Sequence, residues 1–186
     1  MRKTALAGPT IASYRAWSRL GAALALAGLV VLPCHAASLQ PDELRILGKA
    51  LGFMDPPLPA QPTVAIVYAD GDGASRRDAE GLAAQIHDTG FGGVPVIPVV
   101  VDSLSLAAAR FQLIITASGV AGDAVIDAAR MHRALCVTAD VEAVHDGHCT
   151  MAIRTSTHIE IFVNRNAATQ SGIGFATAFR IMVHEQ

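Results

Sequence analysis

The chain has 186 residues, 52% of them hydrophobic and only 5% aromatic, and its 14 Lys and Arg face 16 Asp and Glu. Four of those cations (Arg2, Lys3, Arg15 and Arg19) precede the first acidic residue, Asp42, so everything beyond the first 36 residues is an acidic chain with no basic run. That balance excludes the charge footprint of a nucleic-acid binder or of a protein held on anionic membrane, and the one tryptophan, Trp17, leaves no stacking platform for sugars or bases.

The same four cations, the 13-residue apolar run Leu20 to Leu32 and the break Pro33-Cys34-His35-Ala36-Ala37 read as a secretory signal peptide over residues 1–36. A bilayer-spanning helix needs about 20 apolar residues. The run is therefore short for a retained anchor, although the long basic region leaves that reading open. Cys34 would suit a lipoprotein, but Pro33 fits poorly before a lipidated cysteine. The expectation is export to the periplasm and a domain over residues 37–186, soluble after cleavage and long enough for one hydrophobic core. Cys136 and Cys149 then remain. In an oxidising compartment two cysteines on neighbouring segments are expected to pair, a closure worth roughly 3 kcal/mol.

Pro41-Asp42-Glu43 opens a helix with acids in its first turn, and Leu44, Leu47, Ala50, Leu51 and Met54 repeat at helical spacing. The prolines between 56 and 62 end it. Thr63 to Tyr68 is a continuous apolar run, as in a strand buried on both faces. After the loop Asp70 to Ser75, residues 75–89 form a helix with Ser75 as N-cap. Val94 to Val101 is a second buried strand, bent at its prolines or at an edge. A short helix over Ser103 to Arg110, a strand over Leu113 to Ala117, a helix from Ala121 to Arg133 and a strand over Ala134 to Thr138 follow. This alternation predicts right-handed crossovers and a parallel sheet. The pattern then becomes an antiparallel hairpin, Thr150 to Arg154 and His158 to Val163, with helices at 165–171 and Phe175 to Val183. The fold class is α/β: three layers, a mostly parallel sheet with flanking helices and a C-terminal antiparallel hairpin.

Two strand-to-helix junctions are candidates for a small ligand. At Asp70, Gly71, Gly73 and Ser75, backbone N–H groups at a helix start suit an anion, but the acids repel phosphate and the spacing is no dinucleotide or Walker motif. Ser118 and Gly119 lie at the C-terminal end of a strand, where open α/β sheets bind ligands. For each, a plain turn is the preferred reading. His145 and His148, close to Cys136 and Cys149, offer a set of metal ligands; a disulfide would remove the thiolates, and Asp146-Gly147 is a turn signal. Arg154 and Glu160 read as a cross-strand ion pair. No set of catalytic residues and no cofactor is expected.

The order of these features resembles the YfiR-like periplasmic proteins. The stretch Lys49-Ala50-Leu51-Gly52-Phe53-Met54-Asp55-Pro56 is similar to that family's first helix and its proline. Leu113-Ile114-Ile115-Thr116 and Leu135-Cys136-Val137-Thr138-Ala139-Asp140 are similar to its later strands. Ile159 to Asn164, followed by Ala167-Ala168, is similar to its strand–Asn–x–x–Ala–Ala turn. The loop from Asp70 and the ending from Phe175 depart from it. The resemblance implies a non-enzymatic regulator that binds an inner-membrane signalling protein such as a diguanylate cyclase, with the two cysteines its only transferable chemistry. Leu47, Leu51 and Phe53 on the first helix and Phe175 and Phe179 on the last are candidates for the partner surface, against the alternative that both faces pack on the sheet. A second expectation is a one-lobe solute-binding component akin to ABC-type substrate-binding proteins.

Overall fold

The structure is a computed structural model; it describes residues 38–120 and 122–186. The signal-peptide expectation for residues 1–36 lies outside them. Among the described residues there are two sheets. A seven-stranded one runs in the order β3-β2-β4-β5-β6-β7-β9, with β2 Thr63–Tyr68, β3 Ile97–Asp102, β4 Leu113–Thr116, β5 Leu135–Thr138, β6 Met151–Thr155, β7 Ile159–Val163 and β9 His184–Glu185. Its first five strands are mutually parallel, β7 turns back antiparallel to β6, and β9 lies parallel to β7. A two-stranded antiparallel sheet pairs β1, Met54–Asp55, with β8, Gly174–Phe175. The fold is therefore α/β, and the hairpin Met151–Val163 is antiparallel as its turn predicted.

Helices form the other two layers. On one face α1, Pro41–Leu51, and α2, Gly73–Thr89, bury Leu44, Leu47, Leu82 and Ile86 against Val64, Ile66 and Ile115. On the other face α3, Gly122–His132, α4, Val141–His145, and α5, Arg165–Gln170, cover Ala65, Ile114, Cys136 and Ala152. Successive residues of each central strand thus feed opposite cores. The step from β2 to β3 carries a helix on one face. The steps from β4 outward, in the opposite direction, carry helices on the other, as right-handed crossovers require.

Several boundaries move. Helix α2 begins at Gly73 with Asp72 as its N-cap, because the Asp72 carboxylate accepts the N–H of both Ala74 and Ser75; the hydroxyl of Ser75 is used elsewhere. Strand β3 begins at Ile97 and is an edge strand, not a buried one: Ile97 and Val99 are 45% and 42% exposed. The Ile97 N–H reaches the Pro62 carbonyl, so alternation turns the backbone of Pro98 outward, where the missing N–H costs no ladder bond. The segment expected to be a helix from Phe175 to Val183 is instead β8, a four-residue helix α6, Thr177–Arg180, and β9. Helix α4, five residues capped by Asp140, was not foreseen. Among the described residues no helix is long and apolar enough to cross a membrane.

Candidate functional site

The strand order reverses direction between β2 and β4, and their C-terminal ends carry the two junctions singled out in the sequence. The fold brings them together and then fills the space between them. Ser75 is buried; its hydroxyl accepts the Ala69 N–H at 2.9 Å and donates to the Ser118 carbonyl at 2.7 Å. The half-buried Asp78, one turn along α2, accepts the Ser118 N–H at 3.0 Å, the Ser118 hydroxyl at 2.9 Å and the hydroxyl of Ser38. Burial works to raise the Asp78 pKa, but those three hydrogen bonds outweigh it and hold the carboxyl below its ordinary value. Asp70 donates its N–H to Ser103. Gly71 and Gly119 adopt φ of 72° and 77°, which makes them turn-formers first. The helix start that might have held an anion is occupied by the Asp72 carboxylate. Of the ligand-loop candidates, Ser75 and Ser118 are joined directly, and Asp78, Ala69 and Ser103 take up further polar groups of Ser118, Ser75 and Asp70.

Cys136, on β5, and Cys149, just before β6, form a disulfide with Cα atoms 5.2 Å apart, and both are buried. The bridge takes both thiolates out of the ligand set offered with His145 and His148. The two imidazoles also face different neighbours: His145 Nδ1 lies 2.6 Å from Gln186 Oε1, and His148 Nε2 lies 3.4 Å from Asp123. Among the described residues no group of three or more His, Cys, Asp or Glu side chains could hold a metal ion. Asn164 explains the Asn–x–x–Ala pattern. Its Oδ1 caps α5 by accepting the Ala167 N–H, and its Nδ2 donates to the Val144 carbonyl at 2.9 Å, tying α4 to β7.

The apolar residues offered for a partner are mostly interior. Leu47, Leu51 and Phe179 are buried in the core, so they are not a contact surface. Phe53 and Phe175 are half-buried against Phe179, with ring centroids at 5.5 Å and 5.1 Å. These five residues join the end of α1 to the C-terminal segment around the β1–β8 pair, which is the packing alternative weighed against the partner surface.

An open cleft of about 650 Å³ lies elsewhere, between α1, the turn at Phe91–Val94 and the tip of the β6–β7 hairpin. Sequence reading missed it because its walls come from three distant segments. The buried Glu43 fixes two of them: it accepts the Gln40 N–H at the start of α1, then the N–H and hydroxyl of Thr155 at 2.8 and 3.0 Å. Gly48 fixes the third, for a Cβ there would stand 2.0 Å from the Phe91 carbonyl oxygen.

No protein-family model and no curated protein matches the chain. Solved structures do. The ABC domain in complex with L-Trp from Streptococcus pneumonia aligns over 78% of this chain and 60% of its own, at 11% identity and TM-score 0.52. A conserved domain protein from Vibrio cholerae O1 biovar eltor strain N16961 aligns over 78% of this chain and 59% of its own, at 12% identity and TM-score 0.48. The chain thus spans about three fifths of the length of either structure, and the likeness to the first is one of α/β fold.

Proposed function

We propose that the chain is an exported, non-enzymatic regulatory protein that acts in the periplasm by protein–protein contact, on an inner-membrane signalling protein such as a diguanylate cyclase. The observation that carries this reading is the filled crevice. In an open α/β sheet a small ligand or a reaction occupies the gap at the strand-order reversal. Here Ser75, Ser118 and Asp78 occupy it with hydrogen bonds to one another and to the adjoining backbone, which supports recognition by the outer surface. The buried Cys136–Cys149 bridge supports an oxidising compartment. Deleting the gene in its own host and measuring cyclic di-GMP is the direct test. A repressor of a diguanylate cyclase gives a severalfold rise that the restored gene reverses; an unchanged level, with no inner-membrane protein crosslinked to the chain, would sink the proposal.

The likeness to the L-Trp-bound ABC domain favours a second reading, a one-lobe solute-binding component. A ligand that binds only the folded state must raise its stability. A saturable rise in Tm with L-tryptophan or another amino acid, without any change in cyclic di-GMP on deletion, would replace the first reading by the second.

A further inference from the structure

We infer that Asp78 is the acceptor for the ammonium group that leader removal creates on Ala37, so that processing of the chain completes the closure of the crevice. This inference rests on the export reading and goes beyond it. Asp78 is a half-buried carboxylate whose two oxygens are used unequally. Oδ2 accepts all three donors: the hydroxyls of Ser38 and Ser118 and the Ser118 N–H. Oδ1 accepts none among the described residues, and no cation there pairs with the group. Arg77, its neighbour in the chain, is exposed and makes no ion pair among those residues. A partly desolvated negative charge met only by neutral dipoles gains from a cation within reach.

The chain itself supplies that cation. Ser38 is held twice, by its hydroxyl on Asp78 Oδ2 and by its carbonyl, which accepts Gln40 Nε2 at 3.0 Å. Successive Cα atoms are about 3.8 Å apart, so an amine on residue 37 starts within about 5 Å of the Ser38 Cα. A shallow depression of about 250 Å³ opens beside it, lined by Ser38, Gln40, Arg77, Asp78 and Gln85. In the precursor the nitrogen of residue 37 is a neutral amide. Hydrolysis of the Ala36–Ala37 bond consumes one water; the carboxylate departs with the leader, and the amine stays on Ala37 and takes up a proton at neutral pH. A positive charge thus arises one residue from the tie that Ser38 makes to Asp78. Asp78 in turn holds the backbone and hydroxyl of Ser118 at the end of β4, so the strand-order reversal tightens after export and not before.

The test uses the processed chain, residues 37–186, with its α-amine free or acetylated, in the parent and in Asp78→Asn. Urea unfolding at pH 7 reads the folding equilibrium constant. Acetylation should lower that constant about fivefold in the parent and less than about twofold in Asp78→Asn, since only the parent keeps both charges. Equal losses in the two, or no loss in the parent, would overturn the pairing and leave the export reading standing. Should Asp78→Asn fail to fold, NMR titration of the parent carrying isotope-labelled Ala37 decides alone. The pair holds the α-amine pKa above its ordinary value of about 8, and an ordinary value overturns the inference. Periplasmic protein that retains residues 1–36 would overturn the inference together with the expected cleavage.

Discussion

Asp78 shows how one carboxylate can close a crevice. It gathers Ser38 from the chain's entry into the domain and Ser118 from the end of β4, and so joins three segments distant in sequence. Its folded pKa lies below the unfolded value. The stability it contributes is therefore present above about pH 4 and is lost as the pH falls through the depressed folded value. Asp78→Asn should cost about 1 kcal/mol at pH 7, a charged hydrogen bond discounted for partial exposure. It should also make the acid limb of the stability–pH curve shallower, read by urea unfolding between pH 3 and 7; an unaltered limb would remove Asp78 from the titration. The exposed ion pairs are another matter. Arg154–Glu160 and Arg180–Glu185 lower the pKa of their glutamates through the guanidinium hydrogen bonds, yet water screens them, and pairs of this kind contribute little net stability.

At the scale of elements, the disulfide ties β5 to the start of β6 across a loop that holds α4. Replacing both cysteines by alanine should lower the unfolding free energy by about 3 kcal/mol, with the same loss on adding dithiothreitol to the parent protein. A midpoint indifferent to reductant would show that Asn164 and the α4 cap already close this loop unaided. Strands β2, β4 and β5 were legible in the sequence because a parallel strand buried on both faces is an unbroken apolar run, as Thr63 to Tyr68 is. The same apolarity made β3 read as buried, since composition does not say whether a strand has one neighbour or two, and only its prolines pointed to the edge that it occupies. The last helix failed for a related reason. Phe175, Phe179 and Met182 have workable helical spacing, but Gly174–Phe175 is claimed by Met54–Asp55 more than a hundred residues earlier, and local periodicity carries no trace of that pairing. Of the candidate sites, the disulfide was legible from the expected compartment and the cysteine count, while the contact of Ser75 with Ser118, 43 residues apart, was not read from the sequence. The cleft was not, because it depends on Glu43 finding Thr155.

For the molecule as a whole, the sequence expectation of a removable leader has a direct check. Protein recovered from the periplasm should begin at Ala37, by intact mass or N-terminal sequencing; a mass for all 186 residues would make the chain membrane-tethered and confine its partners to that surface. The seven-stranded sheet meets solvent along two borders, and they are defended differently. The β9 border is two residues long, and its Glu185 is held by Arg180. The β3 border is longer and carries Ile97 and Val99 in the open, the kind of ribbon onto which another chain could zip. Pro98 stands in the outward register and breaks that ribbon near its start. One ring without an N–H on an open border thus hinders the addition of a further strand, a task that would otherwise fall to a covering helix.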